Sequence, residues 1–160
     1  NRLIAFVNPS IDPQGIGYNI IQSKIALGSG RITGKGLFAG TQNQLNFLPE
    51  KHTDFIFSVI GEEFGFIGVF IVIVLFVLLF WQLFNIVFQA KDRYGKLVVS
   101  GIIAMFFFHV VENIGMTMGV MPITGIPLPF ISYGGTSMVT SIVAIGIALN
   151  INIRKKKLQF

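Results

Sequence analysis

Between Phe64 and Ala90 the chain carries no Lys, Arg, Asp or Glu, and most side chains there are Phe, Val, Leu or Ile. Such a run exceeds the ~20 apolar residues that cross a bilayer as a helix. In hydrocarbon every backbone N–H and C=O must be satisfied within the protein, so the run commits the chain to a transmembrane helix. Composition agrees, because 52% hydrophobic and 12% charged residues is too apolar a balance for an ordinary soluble domain. The sequence therefore reads as an all-α polytopic membrane protein. Its opening on Asn1, with no signal-peptide pattern behind it, leads to the expectation of a fragment of a longer chain. There is no cysteine, so disulfides and thiolate metal sites are unavailable.

Three spans are expected, over about 54–88, 97–120 and 136–153. The first is long and must tilt or protrude. Ahead of it, residues 1–53 hold Pro9, Pro13 and glycines at 15, 17, 28, 30, 34, 36 and 40, which exclude a long helix. That region is expected to be a large loop with one short interfacial helix, Tyr18 to Leu27, ended by Gly28. Between the second and third spans, residues 121–135 are apolar yet broken by Pro122, Gly125, Pro127, Pro129, Gly134 and Gly135. Non-helical backbone at membrane depth survives only where protein or a water-filled cavity satisfies it, so this reads as a re-entrant or cavity-capping loop.

Charge sets the orientation. Lys91, Arg93 and Lys96 crowd one connector, and Arg154, Lys155, Lys156 and Lys157 crowd the tail at 154–160. Both clusters read as cytoplasmic, and two spans between them keep them on one side. Residues 1–53 then lie outside. Their basic residues are dilute in a long loop, which translocates largely regardless of charge. Neither cluster is interleaved with aromatic residues or nucleic-acid motifs, so nucleic acid is not expected as a partner.

The chemistry gathers at the doorstep of the first span, in LPEKHTDFIFSVIGEEFGFIG (Leu48 to Gly68). Glu50, Lys51, His52, Asp54 and the Glu62/Glu63 pair sit where charge is costly, which favours function over decoration. The plain alternative is a solvated cap, with Thr53 or Asp54 as N-cap of the helix. At 100° per residue Asp54, Ser58, Gly61, Gly65 and Gly68 share a stripe, with Glu62 at its edge and Glu63 opposite. Gly61 and Gly65 would let another helix approach closely. In the second span His109, Glu112, Asn113 and Met116 share a face, and an acid that deep should pair or line a cavity. With only His52 and His109, no zinc-type ligand pair exists, and no protein-built metal site is expected.

Three blocks, DPQGIGYNIIQSKIALGSGRITGKG (Asp12 to Gly36), GTQNQLNFLPEKHTDFIFSVIGEEFGFIG (Gly40 to Gly68) and ENIGMTMGVMPITGIPLPFISYGGTS (Glu112 to Ser137), closely resemble the SEDS family of shape, elongation, division and sporulation proteins. The match is nearest to its elongation branch. The resemblance implies a ten-span fold of which this chain is the C-terminal part, in the bacterial cell membrane. It also implies an enzyme that polymerises lipid II, the undecaprenyl-diphosphate-linked disaccharide, into peptidoglycan glycan strands, working with a class B penicillin-binding protein transpeptidase among membrane lipids. The essential aspartate of the family's HTDF motif falls on Asp54, and the glutamate of its LPE motif on Glu50.

Glycan growth needs a sugar hydroxyl to attack an anomeric carbon while the diphosphate leaves. A carboxylate can take the hydroxyl proton, and cations or a divalent metal such as Mg²⁺ or Mn²⁺ can stabilise the leaving group. Lys24, Arg31, Lys35 and Lys51 are the candidate cations, with His52 and Glu112 as further substrate-binding candidates. A lipid-precursor flippase, with Glu112 and the broken loop as its path, or a non-catalytic scaffold of the cell-wall machinery are the competing readings.

Overall fold

The computed structural model describes residues 16–36 and 53–154. The described part holds four helices: α1 (Ile16–Ser29), α2 (Ile56–Gln89), α3 (Arg93–Thr117) and α4 (Gly135–Arg154). The last three are long and apolar enough to cross a membrane. The protein is therefore a multi-pass, all-α membrane protein. The short connector at 90–92 folds α3 back along α2, so the end of the bundle holding Asp54 also holds the end of α3, the 118–134 loop and the start of α4.

The two larger core clusters lie one after the other along the bundle. Away from the Asp54 end, Leu83 and Ile86 of α2 meet Val99, Ile102, Ile103 and Phe106 of α3 and Ala144 and Ala148 of α4. Ser141, Ala144 and Ala148 are the small residues that let α4 come close, as a small-residue stripe does between helices in lipid. Toward the Asp54 end, Phe57, Val69 and Phe76 pack with Val110 and Leu128. The outward face of α2, including Phe70, Leu75, Leu78, Trp81 and Phe88, is exposed, as hydrocarbon contact allows.

Two helices, α3 and α1, end differently from expectation. α3 begins at Arg93, ahead of the expected Leu97, because Arg93 and Lys96 occupy its first turns at the bundle end. It stops at Thr117 rather than Val120. Gly119, at φ +67, closes it: its N–H bonds the Met116 carbonyl at 3.0 Å and the Val120 N–H bonds the Gly115 carbonyl at 2.8 Å. α1 is longer than the expected 18–27 and runs past Gly28. It is also packed rather than only interfacial, with Ile20, Ser23 and Ala26 buried. The Ser23 hydroxyl lies 2.7 Å from that of Ser58 on α2 and 2.8 Å from the Thr117 carbonyl of α3, joining three helices at one buried point.

The largest departure is inside α2. Gly65 has φ +66 and ψ −158, so the helix is broken there rather than continuous through the Gly61–Gly65 stripe. Residues 31–36 fill the break. Phe66 and Ile67 N–H groups donate to the Arg31 and Ile32 carbonyls at 2.9 and 3.2 Å, while Lys35 and Gly36 N–H groups donate to the Glu62 and Glu63 carbonyls, both at 3.0 Å. Groups orphaned by the break are thus satisfied by protein, which lipid could not do. Gly30, Gly34 and Gly65 permit the contact, since a Cβ on any of them would overlap backbone across it. The stripe does mark a close approach, but at Gly65 the approaching element is a loop.

Orientation gives a direct expectation. In intact cells an impermeant thiol reagent should label a cysteine placed at Ser29 and spare one placed at Asp92. Labelling at Asp92 would reverse the orientation drawn from the basic clusters.

Candidate functional site

Asp54 occupies the turn that leads into α2 and is half-buried. The N-cap of α2 is Phe55, whose carbonyl accepts from Ser58 and Val59 N–H at 3.0 and 3.2 Å. The N-cap position thus falls one residue after Asp54. Facing Asp54 is the 118–134 loop: a Cβ built on Gly125 would stand 3.2 Å from Asp54 Oδ2. Gly125 has φ +77, and its lack of a side chain leaves space beside the carboxylate.

Beneath that loop lies Glu112, 7% exposed, whose Oε1 accepts from the Thr124 hydroxyl at 3.1 Å. Next to it Asn113 is fully buried and donates from Nδ2 to the Asp54 carbonyl at 3.0 Å and to the Ile126 carbonyl at 2.9 Å. The loop is thus tied to α3 and to the Asp54 turn. Its deeper part is self-satisfied, with the Leu128 N–H donating to Ser132 Oγ at 2.7 Å and the Ser132 N–H to the Leu128 carbonyl at 3.0 Å. Phe130, at φ +64, packs edge-on against Phe106 with ring centres 5.5 Å apart. The apolar, non-helical segment expected at 121–135 holds its shape by these contacts.

The structure brings Asp54 and Glu112 to the same loop, at Gly125 and Thr124. Other sequence candidates are distributed around this end. Lys24 lies over Gly119, where the carbonyl end of α3 favours a cation. Arg31 and Lys35 flank the break in α2. Arg31 is exposed at φ +49, and Lys35 Nζ is 2.9 Å from Oε1 of the fully buried Glu62. Glu50, Lys51 and His52 lie outside the described residues. His109 is half-buried on α3, one turn before Glu112. Among the described residues no three His, Asp or Glu side chains group as a protein-built metal cage would require. Sequence reasoning did not find the Lys35–Glu62 pair, the role of Gly125 or the cross-bridging by Asn113. The signal for Asn113 was present: a two-donor amide beside a carboxylate in an apolar helix.

The Lys35–Glu62 pair is open to solvent on the lysine side, at 28% exposure against 1%. Lys35→Met should lower the melting temperature by several degrees, because it leaves a buried carboxylate without its ammonium. The double variant Lys35→Met/Glu62→Gln should recover most of that loss. Thermal melts of the single and double variants check this, and an additive double variant would contradict it.

This arrangement occurs in a chain whose residues 1–157 match the family of FtsW, RodA and SpoVE cell cycle proteins. It is 51% identical over 96% of its length to the peptidoglycan glycosyltransferase RodA of Treponema pallidum, and 44% identical over 99% to the peptidoglycan glycosyltransferase MrdB of Escherichia coli K12. It spans 36% and 43% of those two proteins. Among solved structures it is similar, with TM-score 0.76 and 31% identity over 98% of its length, to 42% of a chain from a peptidoglycan synthase complex that coordinates polymerization and crosslinking. It is also similar, with TM-score 0.66 and 36% identity over 78% of its length, to 38% of a mutant Thermus thermophilus rod shape determining protein RodA.

Proposed function

We propose, from the premise that this chain belongs to the FtsW, RodA and SpoVE family of cell cycle proteins, that it forms the outer catalytic part of a peptidoglycan glycosyltransferase that polymerises lipid II during cell-wall elongation. The observation that carries the reading is the Asp54 carboxylate, half-buried at the mouth of the bundle, with a glycine on the facing loop leaving room beside it. Such a group can accept the proton of the attacking sugar hydroxyl as that oxygen bonds the anomeric carbon and the undecaprenyl diphosphate departs.

The other site residues take supporting roles in this reading. Glu112, held by Thr124, shapes the floor of the loop facing Asp54. Glu50 and His52 enter this reading from the sequence motif around Asp54 alone. Lys24 and Arg31, on the same end, and Lys51 are the cations offered to the diphosphate, with Lys35 shared with Glu62. A divalent cation, Mg²⁺ or Mn²⁺, would ride on the diphosphate oxygens with at most one or two carboxylates from this chain, as Mg²⁺ sites on phosphate substrates are commonly built. It would supply charge neutralisation at the leaving group. The exposed apolar outer face of α2 meets lipid or the remaining spans of the longer protein, and a class B penicillin-binding protein supplies the crosslinking partner.

The test is glycan polymer formed from lipid II by the purified full-length protein. Vectorial movement of the lipid without polymer would replace the enzyme by a transporter.

A further inference from the structure

We infer that Asn113 is a positioning residue for Asp54, an inference that rests on reading Asp54 as the base. The Asp54 carbonyl is bonded from outside α2, since the hydrogen-bond ladder of that helix starts at the Phe55 carbonyl. The Asp54 turn thus takes a tertiary partner at its carbonyl. Asn113 supplies it from a rigid helix, in a fully buried position, at 3.0 Å. Its second N–H goes to the Ile126 carbonyl at 2.9 Å, next to the Gly125 that faces the Asp54 carboxylate.

One side-chain amide thus fixes both walls of the space beside the carboxylate: the turn that carries the oxygen and the loop that limits access to it. Few residue types could replace it. Leu matches its size but donates nothing, Asp has the shape but only acceptors when ionised, and Ser has one donor on a shorter arm. A base must lie within hydrogen-bond reach of the proton it removes, and a misplacement of about 1 Å can lower a rate by about 10²-fold. Asn113 acts on the reaction through Asp54 without touching the substrate.

Steady-state polymerisation by the full-length protein separates this role from simple knitting of the fold. Asn113→Leu should lower kcat by about 10- to 100-fold while KM for the lipid-linked disaccharide stays within about threefold. Asn113→Gln, which keeps both donors on an arm one methylene longer, should recover a substantial part of kcat and melt like the wild type. Should Asn113→Leu fail to accumulate, the Gln variant decides: a several-fold lower kcat at unchanged KM and melting supports positioning. Wild-type kcat in the Leu variant, or in the Gln variant where Leu does not accumulate, overturns it. So does a loss of activity that only tracks loss of folded protein. Asp54→Asn is run in the same assay. If it is inactive while the Asn113 variants are normal, positioning falls and the base reading stands. If Asp54→Asn is itself fully active, the base reading falls and takes the positioning role with it.

Discussion

Gly65→Leu is expected to remove most of the folded protein from the membrane, whereas Phe70→Leu should leave its level near that of the wild type. Gly65 sits at φ +66 and ψ −158, a combination accessible essentially to glycine, so any side chain costs about 1–3 kcal/mol in backbone strain alone. A Cβ there would also overlap the Gly34 N and crowd the Ile32 carbonyl. The loop would have to withdraw, and the Phe66, Ile67, Glu62 and Glu63 backbone groups it now satisfies would lose their partners. Unsatisfied groups next to a membrane are far costlier than lost contacts between apolar side chains. Phe70, by contrast, is 56% exposed and touches Phe66 by ring stacking with centres 6.3 Å apart. Membrane abundance and detergent melting temperature compare the two. Equal tolerance would show that the break is not held by the inserted loop.

What the amino-acid sequence reveals of this fold depends on the kind of signal. The uncharged run after Phe64 carries its meaning locally, because bilayer thickness acts on contiguous sequence. Prolines at 122, 127 and 129 likewise forbade a helix whatever surrounded them. The break at Gly65 was not legible in the same way. A glycine in an apolar helix is compatible with plain packing, and only the partner loop, remote in sequence, shows that its left-handed φ is used. Lys35 reads as a loop cation in sequence, and its pairing with Glu62 depends on that same inserted loop. Asp54 was conspicuous as an acid at a membrane entrance. The amide of Asn113 beside Glu112 signals a buried hydrogen-bonding role, but its partners, the Asp54 and Ile126 carbonyls, are set by the tertiary fold.

Asp54→Asn carries the largest expected effect on activity. In the restored full-length chain it should lower the rate of glycan polymerisation by about 10²–10⁴-fold, the usual contribution of a positioned proton acceptor. The amide is close to the carboxylate in size, the Asp54 carbonyl bonded by Asn113 is unchanged, and the N-cap of α2 is Phe55. Folding and insertion should accordingly survive. Glu50→Gln should be milder if Glu50 only orients substrate or loop. The deciding measurement is polymer yield from lipid II by wild-type and Asp54→Asn full-length proteins at matched, folded concentrations. The account predicts polymer from the wild type and essentially none from the variant. Wild-type yield from Asp54→Asn would contradict it.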